Sequence, residues 1–260
     1  MKKLFTEVQR CLFSISERPP EGNALKRLNN LSGFVSGMIR KGNSHLPDIG
    51  SGLPQNINSN SKTVAAKRFV ENKWTDCDVH FLPFLESFLR GLLALVLHSS
   101  GVRIVIDGSQ MGKDNAALMV SLVWKNRGIP IVWMVKSGSK GHFKQENHVE
   151  VLKLAAKILL PIIPKDMPVT VLGDGEFDGI DVQKICLTNQ WNYVLRTACS
   201  SVLYENGERF QAKEIEANQE LHCSFISNVE FTEQRFKYVN FLCWHDKKNM
   251  KNPSFWSATF

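Results

Sequence analysis

Apolar positions along the chain follow two rhythms, and the change between them falls near residue 100. Over ALKRLNNLSGFVSGMIR (24–40), Leu25, Leu28, Leu31, Val35, Met38 and Ile39 recur three or four apart, which is helical spacing. Residues 1–23 make a weakly patterned lead ending in Pro-Pro-Glu-Gly. Residues 41–61, rich in Gly, Pro, Asn and Ser, read as a loop. Ser61 then stands where it would cap a helix over KTVAAKRFVENK (62–73), and residues 79–98 predict another. Phe81–Leu97 is strongly apolar, but Pro83, Glu86 and Arg90 at its centre suit a buried helix better than a membrane span.

From Val102 the rhythm becomes strand-like, with runs at 102–107, 115–124 and 129–135 joined by short turns, which implies antiparallel neighbours. Gln145–Leu160 returns to helical spacing, with Val149, Leu152, Ala155, Ala156 and Leu159 on one stripe, and Pro161 and Pro164 stop it. VTVLG follows as a strand. A helix then starts after Asp178, a good N-cap with Asp181 in the first turn, and WNYVLRTA (191–198) is one more strand. Three antiparallel strands followed by alternating helix and strand give an RNase H-like order. Beyond Ser200, ELHCSFISNVEF and FKYVNFLCWH alternate without a helical period. The fold class expected is α/β: an RNase H-like mixed sheet with an all-helical N-terminal domain and part of a β-rich insertion. The domains would be 1–99, 100–198 and 199–260.

Two carboxylates stand out against this pattern. Asp107 closes RIVID, and Asp174 follows VTVLG between two glycines, so each would be offered where a strand runs out at the edge of a sheet. Glu176 lies two beyond Asp174 and is expected to point elsewhere. His142 and His148 flank a helix start and read as capping or packing residues. Arg196, at the end of its strand, suits a DNA phosphate or an acid equally. The six cysteines contain no C-x-x-C pair, which fits reduced thiols better than a disulfide frame. His222 with Cys223 and Cys243 with His245 lack the spacing of a zinc finger.

Charge adds a direction. Residues 1–99 hold 13 Lys+Arg against 8 Asp+Glu, or +5, and the remainder 19 against 17, or +2. A basic front on a nearly neutral body suits a polyanion, with Lys62, Lys67 and Arg68 as the expected DNA contacts; a positive balance also simply aids solubility. The basic N-terminus is interrupted by Glu7, Gln9 and Arg10, which excludes a signal-peptide core there.

VRIVIDGS, GSKGHFKQENHVEVLKLAAKIL and VTVLGDGEFDGIDVQKICLTNQWNYVLRTA resemble transposases of bacterial insertion sequences, the type-four group of the DDE superfamily. The likeness covers roughly residues 102–198 and extends more faintly to KTVAAKRFVEN. It implies metal-dependent DNA cleavage and strand transfer at transposon ends, in a bacterial cytoplasm near the nucleoid, by a homodimer on double-stranded DNA and without a membrane. The resemblance carries two metal-ligand roles onto Asp107 and Asp174, for a pair of Mg²⁺ or Mn²⁺ ions. The family's third acid, a glutamate on a later helix, has no counterpart before Phe260. FWSATF resembles the strand that precedes that helix, so a truncated or frameshifted copy is expected. The alternatives are a non-catalytic DNA-binding remnant and an RNase H-like nuclease. A two-carboxylate glycosidase would lack its aromatic sugar-binding context.

Overall fold

The computed structural model describes residues 2–15, 19–53, 56–76, 80–96, 101–138, 141, 143–215, 223–244 and 253–259. The chain divides into two compact units, Met1–Leu92 and Leu93–Phe260. His142, His222, His245 and Phe260 lie outside the described residues.

The first unit is helical: α1 (Lys2–Ser14), α2 (Gly22–Lys41), α3 (Leu46–Gly52) and α4 (Ser59–Glu71), with most of α5 (Leu82–Val96). Two stretches depart from the sequence reading. The weakly patterned lead contains α1, and the 41–61 loop contains α3, whose single apolar turn is too short to show a period. Close approach explains how so short a helix holds. The buried positions of α2 are all small, Ser32, Gly33, Ser36 and Gly37, so α3 comes backbone to backbone against them. Helix α4 begins at Ser59, earlier than expected. Its N-cap is Asn58, which accepts from the Ser61 N–H at 2.8 Å, so Ser61 is inside the helix.

The second unit is built on one sheet of order β3-β2-β1-β4-β5-β10-β9-β8-β6-β7. Strands β1 (Val102–Met111), β2 (Asn115–Trp124) and β3 (Arg127–Ser137) form an antiparallel meander. Beside it run β4 (Val169–Gly173) and β5 (Asn192–Thr197), both parallel to β1. The order 3-2-1-4-5 with this sense is the RNase H-like fold. Pro130, which has no N–H to give, sits in edge strand β3 next to a bulge that shifts the register between Val120 and Ser121. Strand β1 runs four residues past Asp107 because its pairing with β2 continues to Met111.

Helices α6 (Gln145–Leu159) and α7 (Ile180–Thr188) cover one face of this sheet. Phe177, fully buried at the foot of α7, packs under Gly173, Ile106 and Leu195 and meets His148 of α6 edge-on. Residues beyond 199 do not form a separate sheet. Strands β6 (Val202–Glu205), β7 (Glu208–Gln211), β8 (Cys223–Phe231), β9 (Phe236–Trp244) and β10 (Ser254–Ala258) extend the first, joined where β10 pairs antiparallel with β5. Their core of Leu203, Val229, Phe231, Phe241 and Phe255 reaches Ile180 of α7. Cys11, Cys186, Cys199, Cys223 and Cys243 are free thiols. Among the described residues no helix is long and apolar enough to cross a membrane.

Two glycines should respond oppositely to alanine. A Cβ on Gly50 would lie 2.8 Å from the Thr63 Cα and N, backbone atoms that cannot step aside, whereas one on Gly91 meets nothing within 4 Å. Alanine gains about 0.5–1 kcal/mol in a helix interior, while overpacking costs about 1–3. Gly50→Ala should therefore lower the melting temperature by several degrees and Gly91→Ala raise it slightly. Calorimetry of the two variants checks the pair, and a stabilised Gly50→Ala would refute the backbone contact.

Candidate active site

The last ladder pair between β1 and β4 is Ile106 with Gly173, and Asp107 and Asp174 are the next residues on each strand. The last pair between β4 and β5 is Gly173 with Leu195, so Arg196 follows at the same level. Adjacent strands lie about 4.8 Å apart, which brings Asp107, Asp174 and Arg196 side by side across three parallel strands. All three are exposed. Alternation explains why. Ile106, Gly173 and Leu195 turn to the helix-covered face, so their successors turn to the other.

The turn after β4 is fixed by its own atoms. The Glu176 N–H donates to Asp174 Oδ1 at 3.0 Å and the Phe177 N–H to the Asp174 carbonyl at 3.0 Å. These bonds orient the Asp174 carboxylate. The Glu176 side chain reaches back over β1, with Oε2 3.6 Å from where a Gly108 Cβ would stand. Its Oε1 lies 3.8 Å from His148 Nε2, too far for a hydrogen bond. Burial lowers the His148 pKa, and the negative charge of Asp174 offsets this only in part. His148 is a packing residue. The apolar stripe signalled as much, since positions 148, 151, 152, 155, 156 and 159 share one face and are all buried.

Asp178 is not the cap of α7. The N-cap is Gly179, which has no side chain to offer. Gln145 caps from another helix, and in the amide orientation that satisfies both donors its oxygen accepts from Asp181 N (3.0 Å) and Ile180 N (3.2 Å). The Asp178 carboxylate instead accepts from Thr197 Oγ1 at 2.5 Å, and Thr197 lies 2.8 Å from Ser201 Oγ. Gln183 Nε2 donates to the Asp178 carbonyl (2.9 Å), and Tyr193 Oη donates to Gln183 Oε1 (2.8 Å). Tyr193 and Thr197 thus lock α7 onto β5, while Arg196 between them faces the opposite way. The sequence held this signal in the alternation of Y-x-x-R-T.

Lys62, Lys67 and Arg68 do not share a face. At 100° per residue they lie 100–140° apart around α4. The Lys62 amine donates to the Leu53 carbonyl at 3.0 Å, and Lys67 stands 3.6 Å from Glu71, while Arg68 is exposed.

Two carboxylates at one level suit a hard divalent cation such as Mg²⁺ or Mn²⁺, which takes oxygen ligands. Among the described residues no group of three or more His, Cys, Asp and Glu could hold a metal ion.

No family model matches the sequence, and no curated protein matches it. Among solved structures the chain is similar to endonuclease V of Ciona intestinalis bound to a 24mer DNA containing an inosine followed by a ribo-adenosine. The two are 13% identical over 61% of this chain and 71% of that one, with a TM-score of 0.35. The catalytic domain of human endonuclease V (8%, 67% and 80%, TM-score 0.31) and Aquifex aeolicus Argonaute (12%, 74% and 27%, TM-score 0.27) are similar at the same level. The strand order itself carries the fold.

Burial holds the Asp178 pKa above its ordinary value, with the Thr197 hydrogen bond opposing. An acid raised on folding contributes stability that is fully present below about pH 3.8 and lost as pH rises through the folded pKa. Asp178→Asn keeps the acceptor and removes the charge. Urea unfolding between pH 4 and 7 should show wild type losing ground to Asp178→Asn as pH rises. A constant difference would refute the assignment.

Proposed function

We propose that this chain is a DNA transposase of the insertion-sequence type, with Asp107 and Asp174 as metal ligands in an RNase H-like domain and the basic helical unit as the DNA-holding part. The observation that carries the reading is the shared level of Asp107, Asp174 and Arg196 on three adjacent strands. When bound, the cation would polarise a phosphoryl oxygen. The chain's own part is to place charge. The Asp174 carboxylate is held in one orientation by the Glu176 N–H, which limits the misplacement that phosphoryl chemistry penalises. Arg196 presents a guanidinium beside the two acids, suited to two hydrogen bonds with one phosphate.

A DNA-binding remnant without chemistry is the second reading. It follows from the resemblance, which carries only two of the family's three acids, Asp107 and Asp174, onto this sequence. With one ion poorly held, the chain is expected to bind Mn²⁺ weakly and to complete no strand transfer.

Two measurements separate the readings. Asp107→Asn and Asp174→Asn should each weaken Mn²⁺ binding about tenfold or more in calorimetric titration, and Glu176→Gln should leave it within about twofold, since one lost carboxylate–cation contact outweighs ~1.4 kcal/mol. Equal affinities in all four proteins would remove the metal site. Incubation with supercoiled plasmid and Mn²⁺ then tests chemistry. Nicking lost in Asp174→Asn would discard the remnant in favour of a working nuclease centre.

A further inference from the structure

The helical unit contains a groove walled by one face each of α2 and α4. On α2 the positions are Asn23, Lys26, Arg27, Asn30 and Phe34, spaced as a single helical face. On α4 and its exit they include Ser61, Val64, Arg68, Phe69 and Asn72, spaced in the same way. Two stretches of about 570 and 460 Å³ share Asn30 and Asn72 and so run into one another. The Phe34 and Phe69 rings, 4.9 Å apart, meet across it. At one end stands Trp74, 59% exposed. The Trp74 backbone N–H donates to Asn72 Oδ1 at 3.0 Å, and Lys73 Nζ lies 5.2 Å from the Trp74 ring centroid.

The lining chemistry is selective. Lys26, Arg27 and Arg68 contribute positive charge, and no carboxylate is among the lining residues described. The nearby Glu71 is engaged by Lys67. Four asparagines (23, 30, 60 and 72) offer both donors and acceptors, the combination that reads base edges. An exposed indole offers a stacking platform. A cationic groove with an aromatic stop is how proteins hold a single strand. The wall from Asn23 to Phe34 rises about 16 Å at 1.5 Å per residue.

We infer that this groove binds a single DNA strand, with Arg27 and Arg68 on phosphates and Trp74 under a base. The inference rests on the proposed function only in taking DNA as the polyanion. An acidic peptide is the competing occupant, and the test includes it.

The full chain is titrated in EDTA, which prevents cleavage, against a fluorescein-labelled 12-nucleotide single strand, the matching duplex and a polyglutamate peptide of equal charge. The single strand should bind most tightly. Arg27→Ala with Arg68→Ala should weaken it and flatten the plot of log K against log salt by roughly 1.4, at ~0.7 per phosphate. Trp74→Ala should lower affinity about 5- to 150-fold with little change in slope, as expected for one lost stack, and Trp74→Phe should restore most of it. Polyglutamate binding as tightly, a duplex preference, no binding at all, or affinities indifferent to these substitutions would each overturn the inference. The strand titration contains no Mn²⁺ and the Mn²⁺ titration no DNA, so failure of the groove leaves the metal-site reading to its own test.

Discussion

The parallel pairing of β1 with β4 is the constraint on which the site depends. Ile106 and Gly173 close the ladder on the helix-covered face, where Gly173 has no room for a side chain. A Cβ there would lie 2.9 Å from Leu195 Cδ2, 3.0 Å from Phe177 Cβ and 3.2 Å from Ile106 Cγ2. Because one face of each strand is buried, a slip of one residue would carry Asp107 into that packing and turn Ile106 out. An unpaired carboxylate in such a place costs several kcal/mol, and exposing Ile106 forfeits about 1.5–3 more. Apolar packing on the hidden face thus sets where the polar groups emerge on the open one.

That logic explains how much was legible. The meander, the two parallel strands and both covering helices announce themselves by period, so the order 3-2-1-4-5 could be read from residues alone. What period cannot show is what a helix does with its ends. Asp178 has every local attribute of an N-cap, yet Thr197 is nearer to its carboxylate and Gln145 serves α7 in its stead. Helix α3 escaped for the opposite reason. Its one apolar turn, Leu46 and Ile49, is too short to show a period, and the close approach of Gly37, Gly50 and Gly52 to neighbouring backbone, which helps to hold it, leaves no hydrophobic pattern in the sequence.

Charge was the least legible property. A count of lysines and arginines says nothing about where their nitrogens go. Lys62 closes the end of α3 by donating to Leu53, and Lys67 meets Glu71 one turn on. The cations that remain presented to a groove lie partly on α2, among residues whose polar positions 23, 26, 27 and 30 share a face as regular as the apolar stripe beside them. The polar period was as readable as the apolar one.

The string GDGEFDG with its downstream Y-x-x-R-T has a divided meaning. Asp178, Tyr193 and Thr197 form the clasp between α7 and β5, and only Asp174 and Arg196 face the open edge. Most of the letters of that string therefore serve the architecture. A chain without the chemistry would still need the clasp to hold α7 on β5. Similarity in this stretch measures inherited scaffold first, and the two outward-facing letters must be inspected separately before any such chain is counted among working enzymes.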